Sequence, residues 1–289
     1  MKKFQLFSIL SSGFLLLPSY FLSAQNKVDT ATIVNSMLPE TTVYATSANE
    51  RTPFSYVNFS KKQIEKDNIA QDLPYLIRLT PSVVETSDAG IGIGYTNVRI
   101  RGIDPTRINV TINGIPLNDS ESHSVYWVNI PDIASSTDGM QIQRGVGTST
   151  NGAGAFGGTI SLNTNKLEAE PWAELSATVG SFGTKKQSLA VSSGILKNKF
   201  SVETRISNVT TDGFIDRAFA KLNSVFVGAN YIGKNNSLRF NFIDGHEITY
   251  QAWNGVPAQF IGDKKLRTFN SAGTERADQP HQLMACVAP

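Results

Sequence analysis

From Trp172 onward the sequence alternates apolar and polar residues with period two, and this pattern limits the fold more than any other feature of the chain. Ala173, Leu175, Ala177 and Val179 fall on one side, Glu174, Ser176 and Thr178 on the other. Phe200, Val202 and Ile206 oppose Ser201, Glu203, Arg205 and Ser207. Val225, Val227, Ala229 and Tyr231 oppose Ser224, Phe226, Gly228 and Asn230, and Leu238, Phe240 and Phe242 oppose Ser237, Arg239 and Asn241. Such a period specifies antiparallel strands with one apolar face, which a soluble β-sandwich also has. Length favours a membrane barrel instead. About ten residues rising roughly 3.3 Å each, tilted near 40°, cover about 25 Å, the height of a barrel's outer apolar band. The connections agree: Lys197-Asn198-Lys199 and Gly233-Lys234-Asn235-Asn236 are tight, whereas 210–218 and the region after 247 are longer. Barrels have short turns at one end and long loops at the other; the short connection at 181–184 departs from that rule.

The N-terminus supplies a third argument. Lys2 and Lys3 precede an apolar stretch from Phe4 to Leu17, then Pro18 and a small-residue exit at Ser23-Ala24. This reads as a secretory signal peptide over 1–24. A helix from Phe4 to Leu17 spans only about 21 Å, short of the roughly 30 Å hydrocarbon core. No later stretch reaches eighteen apolar residues, and an exported chain without a spanning helix can still enter a membrane as a closed barrel.

Composition excludes several classes. With 40% hydrophobic and 17% charged residues the chain is not a solvated disordered one, and a net charge of +2 gives no basic face for nucleic acid. Cys286 is the only cysteine, so neither a disulfide within the chain nor a cysteine-based zinc site forms.

Between these ends the pattern is mixed. Residues 25–47 read as an extended leader that contains Glu40-Thr41-Thr42-Val43-Tyr44-Ala45. Its β-branched and aromatic residues suit either strand addition to a partner's sheet edge or the first strand of the next domain. Ser60-Lys61-Lys62-Gln63 fits a capping box with Ile64 behind it, and a second helix is expected over 72–79, with Asp72 as cap and Pro74 in its first turn. Leu73, Leu76, Ile77 and Leu79 give it an apolar stripe. Strands are expected at Val98–Arg101, Ile108–Ile112, around Ile142 and at Thr159–Leu162, with Asn113-Gly114 as a hairpin turn and loops at 86–97, 116–128 and 145–155.

Gly152-Ala153-Gly154-Ala155-Phe156-Gly157 matches the dinucleotide fingerprint, but a strand rather than a helix follows it, so no helix N-terminus meets a pyrophosphate. His123, His246 and His281 are dispersed, which argues against a metal cluster and leaves few general bases. Asp119, Glu121 and His123 share a loop but are not read as a catalytic set. No enzyme, metal site or cofactor is expected.

Four ordered blocks carry a resemblance: Asn97-Val98-Arg99-Ile100-Arg101-Gly102, Thr111-Ile112-Asn113-Gly114-Ile115-Pro116, Ile142-Gln143-Arg144-Gly145, and Gly154-Ala155-Phe156-Gly157-Gly158-Thr159-Ile160-Ser161-Leu162. In order and spacing they resemble the plug-domain signature of TonB-dependent outer-membrane receptors. Leu73-Pro74 and Thr80-Pro81-Ser82-Val83 resemble the plug's helix and following turn. The leader and the block Gln251-Ala252-Trp253-Asn254-Gly255 look most like receptors of the Bacteroidetes. The resemblance implies a signal peptide at 1–24, a leader at 25–47, an α+β plug at 48–166 and, from 167 to 289, the first strands of an antiparallel transmembrane β-barrel. It implies import of a scarce ligand across the outer membrane of a Gram-negative bacterium, with an iron–siderophore complex first and carbohydrate, cobalamin or haem as alternatives. A passive porin or adhesin barrel is the rival of another class.

It further implies that Glu40, Thr41, Thr42, Val43, Tyr44 and Ala45 are the box pulled by the inner-membrane protein TonB. Arg99, Arg101 and Arg144 are implied to face polar barrel wall; on their own, arginines alternating with Val98 and Ile100 specify one polar strand face. The 116–128 loop would point outward, and Asn118, Asp119, Ser122, His123, Tyr126 and Trp127 combine polar groups with flat rings as ligand sites do. Tyr250 and Trp253 are weaker candidates. Outer-membrane lipid, TonB and a small ligand are the implied partners. Receptors of this kind are far longer, and five strands do not close a barrel, so the chain is expected to be a fragment that does not transport as it stands.

Overall fold

A computed structural model of the chain describes residues 47–50, 52–147, 154–164, 167–250 and 252–272. The expected signal peptide, the Glu40–Ala45 segment, residues 148–153 of the glycine run, His281, Cys286 and the 279–289 tail lie outside the described residues.

The first domain is a mixed sheet with short helices. Strand β1 (Ser55–Ser60) runs into helix α1 (Lys61–Asp67), whose capping box forms as expected: Ser60 N–H and Oγ–H both donate to Gln63 Oε1, at 2.9 and 2.8 Å. Helix α2 is shorter than expected. It covers Leu73–Leu76, and bonds of the i to i−3 kind, Arg78 N to Tyr75 O and Thr80 N to Ile77 O, tighten the chain into turns beyond it. Leu73, Leu76 and Ile77 are buried but Leu79 is exposed, so the stripe ends before it. Strand β2 (Val83–Ser87) pairs antiparallel with β3 (Thr96–Ile100), which stops one residue early because Arg101 and Gly102 turn at φ 55 and 74. Strands β4 (Ile108–Ile112) and β5 (Ile115–Pro116) are joined by Asn113-Gly114 with φ of 52 and 84, the two left-handed residues of a type I′ hairpin. With β6 (Thr137–Arg144) and β7 (Gly158–Thr164) they complete a sheet ordered β1-β6-β7-β4-β5, in which only β4 and β7 are parallel. Its core contains Ile64, Ile77, Ile100, Ile108, Ile142, Ile160 and Leu162.

The second sheet is a meander of five strands: β8 (Trp172–Val179), β9 (Lys185–Ser192), β10 (Phe200–Thr211), β11 (Ala220–Ile232) and β12 (Ser237–Thr249). Each pairs antiparallel with the next, and β8 and β12 are edges among the described residues. No described helix is long and apolar enough to cross a membrane, which says nothing of crossing by strands.

The burial of this sheet is inverted relative to a soluble sandwich. Its polar side is covered by the first domain: Lys186, Ser188, Ser201, Arg205, Ser207 and Ser224 are all buried. Its apolar side faces outward, with Leu175 79% and Leu238 68% exposed and Leu189, Val202, Ile206, Phe240 and Phe242 also exposed. Water would penalise that arrangement and lipid would not.

The outward apolar belt also runs obliquely to the strand register. The row of paired residues that begins at Val179 passes through Lys185, Thr210 and Lys221 to Ile248. On β8 the apolar run reaches Val179, but on β12 it stops at Phe242, six positions before that row. At about 3.3 Å per residue and 4.8 Å per strand, the upper limit slopes by about 45° over four strand spacings. The lower limit moves from Ala173 to Leu238, four positions below the row that joins Ala173 to Phe242, a slope of about 35°. Both values fall on the 35–45° tilt of strands in a membrane barrel, in which a level belt must cross the register at that angle. A polar ladder of Gln187, Asn208, Asn223 and His246 lies on its upper side, with Asn208 donating to Asn223 at 2.8 Å. Phe200 and Tyr231 meet at its lower border, ring centroids 5.1 Å apart.

Candidate functional site

The first domain is held to the wall by a buried ionic group. Asp132 sits between two 3-10 turns in the left-handed region, φ 54, and its side chain is 3% exposed. Its Oδ1 lies 2.6 Å from Lys186 Nζ on β9, and its Oδ2 lies 3.1 Å from Arg205 Nη1 on β10. Lys186 also donates to Asn68 and Ser135, each at 3.0 Å, and Arg205 to Ser136 at 2.6 Å and Ser224 at 2.9 Å. Burial opposes the charge on Asp132, yet the two cations hold its carboxyl below the usual carboxylate range. Nearby, Gly245 lets the backbone come close: a Cβ there would stand 2.6 Å from the Asn129 carbonyl oxygen and from Pro131 Cδ. No local signal marks Asp132; Arg205 is legible only as a polar-face residue, and Lys186 lies on a strand, β9, that the alternation does not single out.

At the long-loop end of the wall, residues 88–95 form the tip of the β2–β3 hairpin, where Ala89 packs with Ala218 and Ala252. Beside that tip a cavity of about 200 Å³ is lined by Tyr95, Thr96, Asn97, Ser124, Tyr126, Trp127 and Val128. Its lining comes from two segments about thirty residues apart, and no local pattern marks Tyr95 or Asn97 as part of a site. Under it, Asp72 is buried and accepts from Thr96 Oγ–H at 2.9 Å. Burial pushes the Asp72 carboxyl up to about 8, against the pull of the Thr96 and Gly94 hydrogen bonds.

The six residues singled out in the 116–128 loop divide by what they touch. Asn118 braces the loop, its Oδ1 accepting from Val110 N–H at 2.8 Å and its amide donating to the Ile108 and His123 carbonyls. Asp119 accepts from Ser122 N–H, Ser122 Oγ–H and Glu121 N–H, bonds that hold its carboxyl below the usual range. Ser122 is thereby committed to the turn. Trp127 is buried at the cavity floor, whereas His123, at φ 59, and Tyr126 remain exposed. Trp253 is exposed, and Tyr250 lies under the Arg217 guanidinium, 5.8 Å from ring centre.

The three arginines make no ion pair or hydrogen bond with β8–β12. Arg99 faces Asp104 at 3.6 Å, and Arg101 lies against Gly145. Arg144 donates from Nη1 to the Pro81 carbonyl at 3.1 Å while its buried Nε has no partner. At the entry to the domain, the Gln141 amide grips Ala48 twice, accepting from its N–H at 2.7 Å and donating to its carbonyl at 2.8 Å.

Residues 48–159 match the family model of the TonB-dependent Receptor Plug Domain. A curated relative from Acinetobacter baumannii, described as a probable TonB-dependent siderophore receptor, PirA, is 26% identical over 121 residues, 38% of this chain and 16% of the relative. The fold is similar to the ferric-catecholate import receptor Fiu of E. coli, with a TM-score of 0.56 and 20% identity over 71% of this chain and 29% of that one. It is also similar to BauA, the ferric preacinetobactin receptor of Acinetobacter baumannii, with a TM-score of 0.59 and 23% identity over 71% of this chain and 30% of that one. A copper transporter, OprC, has the same fold at a TM-score of 0.56, 16% identity, and coverage of 69% and 31%. The chain thus spans about a sixth of the curated relative and under a third of these solved chains.

Proposed function

Because residues 48–159 are a TonB-dependent receptor plug domain, we propose that the chain is the gate and first wall strands of an outer-membrane receptor importing an iron–siderophore complex. The observation that carries this reading is the wall's inverted polarity, an apolar belt outside and a polar face inside covered by the plug. A passive pore would leave that polar face to water. Here Asp132, Lys186 and Arg205 join plug to wall, so passage requires the plug to rearrange. Iron chelates are favoured among ligands because PirA, Fiu and BauA are described as receptors for such compounds.

In this reading TonB pairs with Glu40–Ala45 and pulls. Force enters the described domain at Ala48, which Gln141 grips, and then at β1, which pairs with β6 along its length. Ligand rests on Tyr126 and His123, with Tyr95 and Asn97 beside them, over a floor of Trp127. Asn118, Asp119 and Ser122 hold the loop in shape rather than extending into the ligand. Arg99, Arg101 and Arg144 face wall strands other than β8–β12.

Deleting Glu40–Ala45 from the complete reading frame tests the coupling. Uptake of radiolabelled iron chelate should stop while surface binding persists. Undiminished uptake would defeat the TonB reading.

A further inference from the structure

The cavity beside the hairpin tip has a charge character of its own. Its seven lining residues, Tyr95, Thr96, Asn97, Ser124, Tyr126, Trp127 and Val128, are all uncharged at neutral pH. The two segments that supply them, 88–97 and 117–128, contain Asp88, Asp119 and Glu121, one histidine, and neither lysine nor arginine. Two of these acids are tied to cavity residues by backbone bonds: Asp88 N–H donates to the Tyr95 carbonyl at 3.1 Å, and Asp119 N–H to the Ser124 carbonyl at 3.0 Å. The main chain thus holds Asp88 and Asp119 in the same two segments as the cavity lining.

Two cations at this end of the molecule have other partners. Arg99, two residues along β3 from Asn97, faces Asp104. Arg217, on the wall loop beside the hairpin tip, donates to the Asn270 and Ala272 carbonyls and lies over Tyr250. Lys264 and Lys265 are exposed on a separate outer loop and make no hydrogen bond or ion pair with the cavity residues. An anionic ligand would meet an uncharged lining carried by two segments that contain three carboxylates and neither lysine nor arginine. An uncharged or cationic ligand would meet phenol and indole rings, amide and hydroxyl groups, and carboxylates that attract positive charge.

We propose that the plug cavity selects a metal chelate with no net negative charge. This inference rests on the reading of the chain as a receptor for an iron chelate and narrows it. It excludes the triply anionic ferric triscatecholates as preferred ligands, even though one structurally similar receptor is described as a ferric-catecholate importer. Fold similarity does not carry ligand charge, which is set by loop residues.

The test uses the complete reading frame expressed in the outer membrane and solubilised in detergent. Three probes are titrated against intrinsic tryptophan fluorescence: a ferric triscatecholate, a neutral ferric trishydroxamate, and a ferric trishydroxamate bearing a free amine. The neutral and cationic chelates should bind at least about tenfold more tightly than the catecholate, and raising the salt should shrink the gap as the charges of the two segments are screened. In Asp88→Asn/Glu121→Gln the gap should also narrow, with the fold unchanged by circular dichroism. Equal or tighter binding of the catecholate overturns the proposal and leaves the iron-receptor reading standing. Binding of none of the three overturns that reading and the proposal with it.

Discussion

Replacing Asp132 with asparagine removes the carboxylate between Lys186 and Arg205 while keeping the side chain's shape. Asparagine also tolerates the left-handed backbone at this position, so the substitution isolates charge from conformation. Lys186 is 3% exposed and Arg205 1%, so neither can turn to water when its partner is lost. Removing one member of a buried pair costs about 3–5 kcal/mol. Lys186 keeps Asn68 and Ser135, and Arg205 keeps Ser136 and Ser224, which places the expected loss at the lower end, about 3 kcal/mol. The assay is urea unfolding of the plug in detergent, read by protease susceptibility, at neutral pH and in acid. Because the Asp132 carboxyl is held below its usual range, its stabilisation is present above the unfolded-state pKa of about 4 and is lost as pH falls through the lower folded-state value. The gap between parent and variant should therefore close in acid. Adding Lys186→Met to Asp132→Asn should recover part of the loss, since it removes a buried charge left without its counter-ion. A loss under about 1 kcal/mol at neutral pH, or a gap that does not change with pH, would refute the reasoning.

Phe240→Arg, on the exposed apolar face of β12, should destabilise insertion by about 2–4 kcal/mol, measured by refolding into lipid vesicles; no effect would mean that this face does not meet lipid. Asp72 carries the opposite pH signature to Asp132: its pKa is raised to about 8, so its contribution is intact below the unfolded-state value and stability is lost as pH rises from about 4 to about 8. Asp72→Asn should flatten the fall in plug stability across that window in the same urea assay, and an unaltered slope would sink the assignment.

The belt and the polar face were legible in the sequence because a strand places successive side chains on opposite sides, whatever the rest of the molecule does. From Leu175 or Phe240 alone, however, the apolar side could have been either a core or a lipid surface. Only the docking of the first domain onto Lys186 and Arg205 decided which side faced inward. Local chemistry likewise fixed the capping box at Ser60–Gln63 and the hairpin at Asn113-Gly114, where a few adjacent residues suffice. Strand β1 is hard to read because it is short and its apolar residues, Tyr56, Val57 and Phe59, do not alternate with period two, and α2 fell short because tertiary turns displaced its last residues.

The site divides in the same way. Composition of the 116–128 loop suggested a ligand surface but could not distinguish groups that brace the turn, such as Asn118 and Asp119, from the exposed His123 and Tyr126. Tyr95 and Asn97 join Tyr126 across about thirty residues of chain, a meeting that hydrophobic periodicity does not encode. Asp132 is separated from Lys186 by 54 residues and from Arg205 by 73, and its partners look like ordinary polar-face residues until the plug is set against the wall. Period, turn and cap are properties of neighbouring residues and are written into the sequence directly. Which buried charges neutralise each other, and which loops share a cavity, depends on long-range closure and was decided only by the tertiary structure.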